Sequence, residues 1–307
     1  MTATWHDLFG QGTVVIDGGL STQLTRLGED MTGTLWTGRV LLENPAAVTR
    51  AHADYLAAGA DVVITASYQL SRWGFEQAGL SSGEADAALR ASTRAAREAV
   101  RGFPNARVAA SVGPYGAILH DGSEYRGRYG LSRRQLVDFH RERLDVLAAS
   151  HPDLLAIETI PDVDEAEALV EVLADYPDLP AWMSFSAVDD RHVCAGQSIE
   201  DAATVAAAAP SVVAVGINCT DPRYVTPLVE RVSAASSLPV VVYPNAGGDW
   251  DPDDGEWHGA ADHPGGAFPQ SAVGDWLLAG ARAVGGCCGT DDRAIRQIAQ
   301  QLAQPAG

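Results

Sequence analysis

Eight short apolar runs rich in β-branched residues recur along the 307-residue chain, and most are followed by a segment of helical period. The runs are almost continuously apolar rather than alternating, which is typical of strands buried on both faces of a parallel sheet. The predicted strands are Thr13–Gly19, Asp61–Tyr68, Arg107–Gly113, Leu154–Ile160, Ala181–Ala187, Val212–Cys219, Pro239–Asn245 and Ala283–Cys288. Eight β-then-α units predict an α/β fold with one (β/α)8 TIM barrel domain spanning residues 1–307. An open doubly wound sheet is the alternative.

Amphipathic segments separate these strands, and several begin with a capping residue or an early proline, as helices do. The predicted helices are Pro45–Ala58, Gly83–Arg101, Ser132–Ala149, Val163–Ala174, Ile199–Ala209, Pro222–Ala235 and Asp292–Ala303. Three long connections follow the first, third and seventh strands, at Leu20–Asn44, Pro114–Leu131 and Ala246–Gln270. All three would lie at the carboxyl face of the barrel, where barrel enzymes carry their chemistry.

Charge and targeting signals narrow the function classes. The formal net charge is −19, and the acidic residues are spread along the chain. Nucleic-acid binding requires a basic face, so this class is excluded. No apolar run reaches the roughly 18 residues of a membrane span, and no secretory signal is visible, so we expect a cytoplasmic protein. Four cysteines in such a chain indicate thiols kept reduced for metal or catalytic use rather than a disulfide framework.

Polar and reactive residues stand repeatedly at the ends of the predicted strands. They are Asp17, Gly18, Gly19, Thr65, Ser67, Tyr68, Glu158, Asn218, Cys219, Cys287 and Cys288. In a barrel, all these strand ends converge on one mouth. A carboxylate among apolar neighbours has no packing explanation there, because burying an unpaired charge is expensive. The pattern therefore predicts an active site at the mouth.

Three of the cysteines could share one metal ion. Cys219 ends the sixth strand, and Cys287 and Cys288 end the eighth, which is its second neighbour around the barrel. Three thiolates suit Zn²⁺, and a fourth position left open is typical of a catalytic site. Adjacent side chains in a regular strand point to opposite faces, so the flanking glycines must let the backbone depart from strand geometry. Cys194 lies in a polar stretch and is interpreted as a spectator.

Other interpretations of these thiols stay open. Most free cysteines behave as small buried apolar side chains. A dithiol redox enzyme would use Cys287 and Cys288 as its reactive pair. A non-catalytic zinc-binding barrel would hold the metal without turnover.

Seven motifs together resemble the homocysteine S-methyltransferase family, from about residue 13 to residue 300. They are DGGLSTQL from Asp17, TASYQ from Thr65, GPYGAILHDGSEYRG from Gly113, AIETIP from Ala156, GINCTDP from Gly216, YPNAG from Tyr243 and GGCCGT from Gly285. TASYQ and DGSEYRG make the resemblance strongest to the branch that uses S-methylmethionine as donor. Two positions depart from the family pattern: Gly289 replaces a common Arg, and YPNAGGDWD lacks the usual Ser and Glu. The second departure bears on the choice of donor.

The resemblance implies an enzyme that moves a methyl group from a sulfonium donor to the thiol of L-homocysteine, giving methionine. S-Methylmethionine is the expected donor, with S-adenosylmethionine or a betaine as alternatives. The implied zinc ligands are the three cysteines above. Homocysteine would be held by the Asp17–Gly19 turn, by Glu158 and by Asn218, and we place Thr65 and Ser67 in the same pocket.

A cationic donor predicts aromatic faces on its side of the mouth, because π-systems attract cations. Trp36 and Tyr68 are the candidates for this role. The expected partners are therefore two small molecules, with neither nucleic acid nor membrane involved.

Overall fold

The computed structural model describes residues 12–31, 35–247, 249–251, 256–258, 266 and 268–303. One parallel sheet contains eight strands: β1 (Val14–Val15), β2 (Val62–Ile64), β3 (Arg107–Val112), β4 (Leu154–Ile160), β5 (Ala181–Phe185), β6 (Val212–Asn218), β7 (Val240–Tyr243) and β10 (Ala281–Val284). The strand order is β1-β10-β7-β6-β5-β4-β3-β2. A separate antiparallel hairpin pairs β8 (Asp249–Asp251) with β9 (Glu256–His258).

The two outer strands of this order also meet, which closes the sheet into a barrel. Ile16 forms a parallel bridge with Val62. The backbone N–H of Asp17 donates to the Val62 carbonyl at 3.1 Å, and that of Asp61 donates to the Val15 carbonyl at 2.7 Å. The predicted (β/α)8 barrel is therefore confirmed, and the open-sheet alternative is wrong.

Helices alternate with the barrel strands. They are α1 (Leu20–Arg26), α2 (Thr37–Glu43), α3 (Pro45–Ala58), α4 (Arg72–Gln77), α5 (Ser82–Ala99), α6 (Arg133–Ala148), α7 (Val163–Leu173), α8 (Ile199–Ala207), α9 (Pro222–Ala235), α10 (Gln270–Ala279) and α11 (Asp292–Ala303). Ser132 caps α6 in a capping box with Gln135, and Asp221 caps α9 by accepting from the Arg223 N–H. Of the helices within the described ranges, none has the length and apolarity needed to span a bilayer.

The long connections contain more structure than their sequences predict. The first, predicted as Leu20–Asn44, holds α1 and α2, and the third-strand connection holds two 3-10 turns, Tyr115–Ile118 and Ser123–Tyr125. Helices of six or seven residues are too short to display a helical period, so pattern analysis misses them. Much of the seventh connection, predicted as Ala246–Gln270, lies outside the described residues.

Side chains fill the inside of the barrel. The interior cluster comprises Val14, Ile16, Val62, Ala109, Leu154, Ala156, Trp182, Ala214, Val241, Tyr243 and Ala283. A second, larger core lies between the outer face of the sheet and the helices. Because the interior is packed rather than open, chemistry is confined to the mouth at the carboxyl ends of the strands.

Candidate active site

Three cysteine sulfurs meet at this mouth. Cys219 directly follows β6, whereas Cys287 and Cys288 lie beyond the end of β10. All three sulfur atoms lie within 4.8 Å of one another. The Cys219 and Cys288 sulfurs are 3.9 Å apart. The structure therefore brings together the three residues predicted as metal ligands, while Cys194 is outside this group.

The backbone beyond β10 turns sharply, which lets both neighbouring sulfurs reach the cluster. The strand ends at Val284, four residues earlier than predicted, so the cysteine pair stands in a turn and not in a strand. A side chain at Gly286 would collide with Thr290, and Gly289 has a left-handed φ of +79° that favours glycine. Adjacent side chains point to opposite faces only within a regular strand, so this rule does not apply to the two neighbouring cysteines.

The spacing of the sulfurs fits a shared metal ion. Zinc–sulfur bonds of about 2.3 Å in a tetrahedron place the sulfurs about 3.8 Å apart. That separation is close to the 3.9 Å measured between Cys219 and Cys288. The donor set is three thiols, which as thiolates are soft ligands preferred by zinc.

Cys219 and Cys287 are joined by a disulfide in this structure, which the expectation of free thiols did not foresee. The convergence that lets three thiolates reach one ion also brings two of them within bonding distance. The redox alternative named Cys287 and Cys288 as its pair, whereas the disulfide here joins Cys287 to Cys219 and leaves Cys288 a free thiol. Metal binding at this cluster requires the disulfide to be reduced, since the thiolate is the metal ligand.

Two buried carboxyl groups lie beside the cluster. Asp17 accepts the Ile64 N–H at 2.8 Å through Oδ2, whereas its buried Oδ1 has no hydrogen-bond partner. Glu158 accepts from the Ser111 hydroxyl. Burial raises the pKa of Glu158 to about 7, and burial followed by the Glu158 charge raises the pKa of Asp17. A cationic ligand group would relieve both effects, because it favours the charged carboxylates.

Other predicted substrate residues have their polar groups engaged within the protein. The Thr65 and Ser67 hydroxyls are 2.7 Å apart, and Ser67 also donates to the Ser111 carbonyl at 2.7 Å. The Asn218 amide is hydrogen-bonded to both the backbone and the side chain of Thr159. In this geometry the three residues tie strand ends together, and their contact with substrate stays a prediction.

The Asp17–Gly19 turn packs directly on the cysteine turn. A side chain at Gly19 would collide with the Cys287 carbonyl, so only glycine permits this approach. The Gly19 N–H donates to the Thr290 carbonyl at 3.0 Å and is therefore not free to bind a substrate carboxylate here. A side chain at Gly18 would lie 2.9 Å from the Tyr55 ring and from the Thr290 carbonyl. The role of these glycines in this structure is close packing.

The two aromatic candidates lie in different surroundings. Tyr68 packs over Gly113, where an added side-chain carbon would come within 2.6 Å of its ring. Burial and the nearby Glu124 carboxylate raise the pKa of the Tyr68 hydroxyl. The Trp36 ring lies 6.3 Å from the His120 ring, at the start of α2. Their contact with a donor stays a prediction.

Sequence reasoning missed a buried cation under this side of the mouth. Arg143, on α6, is 1% exposed. Its guanidinium donates to the carbonyls of Gly113 at 2.9 Å, Tyr68 at 2.8 Å and Ser67 at 3.3 Å. An arginine in an amphipathic helix resembles a surface residue, so the sequence offers no signal for this contact.

Glu124 and Tyr125 were also missed, although they stand in the motif GPYGAILHDGSEYRG. Tyr125 lies near Cys288. Glu124 Oε2 is buried without a hydrogen-bond partner, and burial raises the pKa of this carboxyl to about 7. Their place in a family motif was the available signal, but no chemical role followed from it.

Comparison with known proteins gives a consistent result over nearly the whole chain. The profile of the homocysteine S-methyltransferase family matches residues 14–302. Homocysteine S-methyltransferase YbgG of Bacillus subtilis is 40% identical, and the alignment covers 97% of each chain. Homocysteine S-methyltransferase 4 of Zea mays is 42% identical, with 95% of this chain and 90% of that protein covered.

Among solved structures, the fold is similar to that of the homocysteine methyltransferase MmuM from Escherichia coli. Its metallated form superposes with a TM-score of 0.85 at 37% identity, covering 95% of this chain and 96% of that one. Its oxidized form gives a TM-score of 0.84 with the same identity and coverage. A metallated state and an oxidized state are therefore both described for MmuM, a protein of this architecture.

Proposed function

Because the chain belongs to the homocysteine S-methyltransferase family, we propose that it uses zinc to transfer a methyl group from a sulfonium donor to the thiol of L-homocysteine. Methyl transfer to homocysteine, giving methionine, follows from the family. The zinc, the donor and the residue roles are the finer parts of the proposal. The observation that carries them is the convergence of the Cys219, Cys287 and Cys288 sulfurs within 4.8 Å.

The three reduced cysteines would hold the metal. With a fourth position open, such a zinc site lowers the pKa of an added thiol, which is then a thiolate at neutral pH. Tyr125 lies near Cys288. A hydrogen bond from its hydroxyl would orient the Cys288 thiolate, as partners around metal ligands do.

The paired carboxyl groups would bind the ammonium group of homocysteine. Asp17 Oδ1 is buried and lacks a partner, so a ligand N–H can satisfy it. Glu158 accepts a hydrogen bond from the Ser111 hydroxyl and would contribute the second negative charge. Charge-assisted hydrogen bonds of this kind fix both the position and the orientation of a substrate.

The chemical step needs only alignment of the two sulfurs. A bond forms between the homocysteine sulfur and the methyl carbon while the bond from that carbon to the donor sulfonium breaks, and its electron pair stays on the departing sulfur. The leaving group is a neutral thioether, so no general acid is required. Positioning of the two substrates therefore provides the catalysis expected from this chain.

S-Methylmethionine is the proposed donor. The support is the resemblance of TASYQ and DGSEYRG to the branch that uses it, and both segments border the sulfur cluster here. Tyr68 belongs to the first segment and Tyr125 to the second. S-Adenosylmethionine and a betaine are the alternatives that the assay must include.

A donor comparison on reduced, zinc-loaded protein tests the proposal. Methionine formation from homocysteine would be measured with S-methylmethionine, S-adenosylmethionine and glycine betaine, each with and without a zinc chelator. We expect about one zinc per chain, turnover with S-methylmethionine and its loss with chelator. Metal without turnover would favour the non-catalytic barrel, and turnover unaffected by complete zinc removal would overturn the zinc assignment.

A further inference from the structure

A third, half-buried carboxylate lies at the mouth, apart from the Asp17 and Glu158 pair. Glu124 belongs to the 3-10 turn Ser123–Tyr125 in the connection after β3. Its carbonyl accepts the Ser186 hydroxyl at 3.5 Å. The Ser123–Glu124 backbone also packs so closely on Gly116 that no side chain would fit there. The turn is thus held at a fixed place on the mouth.

The Glu124 carboxylate lacks a matching cation. Its Oε2 is buried without a hydrogen-bond partner. Arg126 exerts a weak favourable effect on it, but the Arg126 guanidinium is hydrogen-bonded to Asp121 and Ser123. A buried carboxylate without compensation is costly, so this side chain is suited to a ligand that carries positive charge.

The surroundings of Glu124 point to the sulfur cluster. The Ser186 hydroxyl lies 3.5 Å from both the Glu124 carbonyl and the Thr159 carbonyl. Thr159 is in turn held by Asn218, the residue before Cys219. Tyr125 lies near Cys288, and burial followed by the Glu124 charge raises the pKa of the Tyr68 hydroxyl. One carboxylate and two aromatic rings therefore lie beside the cysteine cluster.

We propose that Glu124, Tyr68 and Tyr125 form the subsite for the cationic sulfur of the methyl donor, with the Glu124 carboxylate as its counter-charge. This assignment rests on the proposed function and extends it to residues outside the acceptor pocket. A sulfonium has no N–H or O–H to donate. Its positive charge and its polarised C–H groups are recognised by an opposite charge and by ring faces, and this subsite offers both.

The same arrangement would distinguish the charged donor from its neutral product. Transfer converts the sulfonium into a neutral thioether, which has no charge for Glu124 to attract. The donor is therefore held before the step, and the product is released from the subsite after it. Asp17 follows β1 and Glu158 lies on β4, and both are left for the acceptor ammonium group.

The test compares two ligands that differ in charge but hardly in shape. S-Methylmethionine and 2-amino-5-methylhexanoic acid have the same branched skeleton, with CH in place of the sulfonium sulfur in the second. Binding of each to reduced, zinc-loaded protein without homocysteine would be measured by calorimetry. We expect the wild-type protein to prefer the sulfonium by about tenfold, and Glu124→Gln to lower that ratio towards one. Glu124→Asp, which keeps the charge, should retain part of the preference.

Asp138→Asn is the matched control, because it removes one negative charge at an exposed residue of α6 whose ion pair with Arg134 lies on the surface. It should leave the ligand ratio unchanged. The proposal is overturned if the wild-type protein binds the two ligands with equal affinity, a result that needs no variant. It is also overturned if Glu124→Gln weakens the binding of both ligands equally. This binding experiment contains no homocysteine and involves no turnover. A wrong assignment of the donor subsite is therefore distinguished from an absence of methyl transfer, which the donor assay measures.

Discussion

Asn218 holds Thr159 through both of its amide atoms. The Thr159 N–H donates to Asn218 Oδ1 at 2.7 Å, and Asn218 Nδ2 donates to the Thr159 hydroxyl at 2.7 Å. Thr159 follows Glu158, and Asn218 precedes Cys219. Thr159 and Cys219 both have left-handed backbones, with φ of +60° and +47°. One side-chain amide therefore fixes the segment that carries the Glu158 carboxylate and the segment that carries the Cys219 sulfur.

Replacing Asn218 by Ala should disturb both functions together. It leaves a buried backbone N–H unsatisfied, which costs about 1–3 kcal/mol of unfolding free energy. We expect weaker zinc binding and a higher KM for homocysteine, measured by metal competition and by initial rates. Asn44→Ala, at an exposed residue, is the control. Unchanged zinc affinity and KM in the Asn218 variant would show that the two segments are held independently.

Cys287→Ser should abolish zinc retention and turnover while the fold stays largely intact. Serine is a poor ligand for zinc beside two thiolates, and the turn that carries residue 287 is set by glycines rather than by the sulfur. Metal content and methionine formation would be measured after reduction. Cys194→Ser, at a half-buried thiol outside the cluster, should retain both properties. Full activity in the Cys287 variant would refute its assignment as a ligand.

Thiol counting should distinguish two states of the centre. With the Cys219–Cys287 disulfide intact, unfolding without reductant should expose two alkylatable cysteines, Cys194 and Cys288, and four after reduction. Only the reduced state should take up zinc, because metal ligation needs the thiolates. Mass spectrometry of alkylated protein, with metal analysis of each sample, checks this. Equal zinc uptake by the oxidised sample would contradict the assignment of Cys219 and Cys287 as ligands.

Glu158 should make stability depend on pH. Its pKa is raised from 4.5 to about 7 by burial, so the folded state binds this proton more tightly than the unfolded state. The stabilisation is complete below the unfolded pKa and is lost as pH rises through about 7, on the order of 1–3 kcal/mol. Urea unfolding at pH 5 and pH 8 should show a smaller difference in Glu158→Gln than in the wild type. Glu98→Gln, at an exposed site, should leave the difference unchanged.

Arg143→Met should leave three buried carbonyl groups without a hydrogen-bond donor and lower the unfolding free energy by about 3 kcal/mol or more. Tyr68 is one of those carbonyl partners, so the KM for the donor should rise as well. Arg141→Met, on the same helix, removes an exposed pair with Asp175 and should cost less than about 1 kcal/mol. An Arg143 variant no less stable than the Arg141 variant would contradict this role.

The barrel is predictable from sequence because buried parallel strands and capped helices leave local patterns. The predicted bounds of Pro45–Ala58, Pro222–Ala235 and Asp292–Ala303 agree with α3, α9 and α11. β1 is shorter than predicted, since after Val15 the chain makes only one bridge before it turns. Strand ends depend on neighbouring strands, which a local pattern does not contain.

The site is predictable only in part, for the same reason. Cysteines at strand ends of a barrel must face one mouth, so their convergence follows from the topology. Contacts between connections do not: the orphaned carboxylate of Glu124 and the buried guanidinium of Arg143 depend on how separate segments meet. Their residue types alone indicate solvent-exposed charges.

The cysteine turn lies after the last barrel strand in the sequence, and Cys288 stands 69 positions after Cys219. β10 docks between β7 and β1, so it joins the earliest strand to a late one. No partly folded chain that lacks this docking can present three sulfurs to one ion. Tight metal uptake is consequently a signature of the finished barrel, and the timing of zinc capture during refolding would mark the closing of the ring.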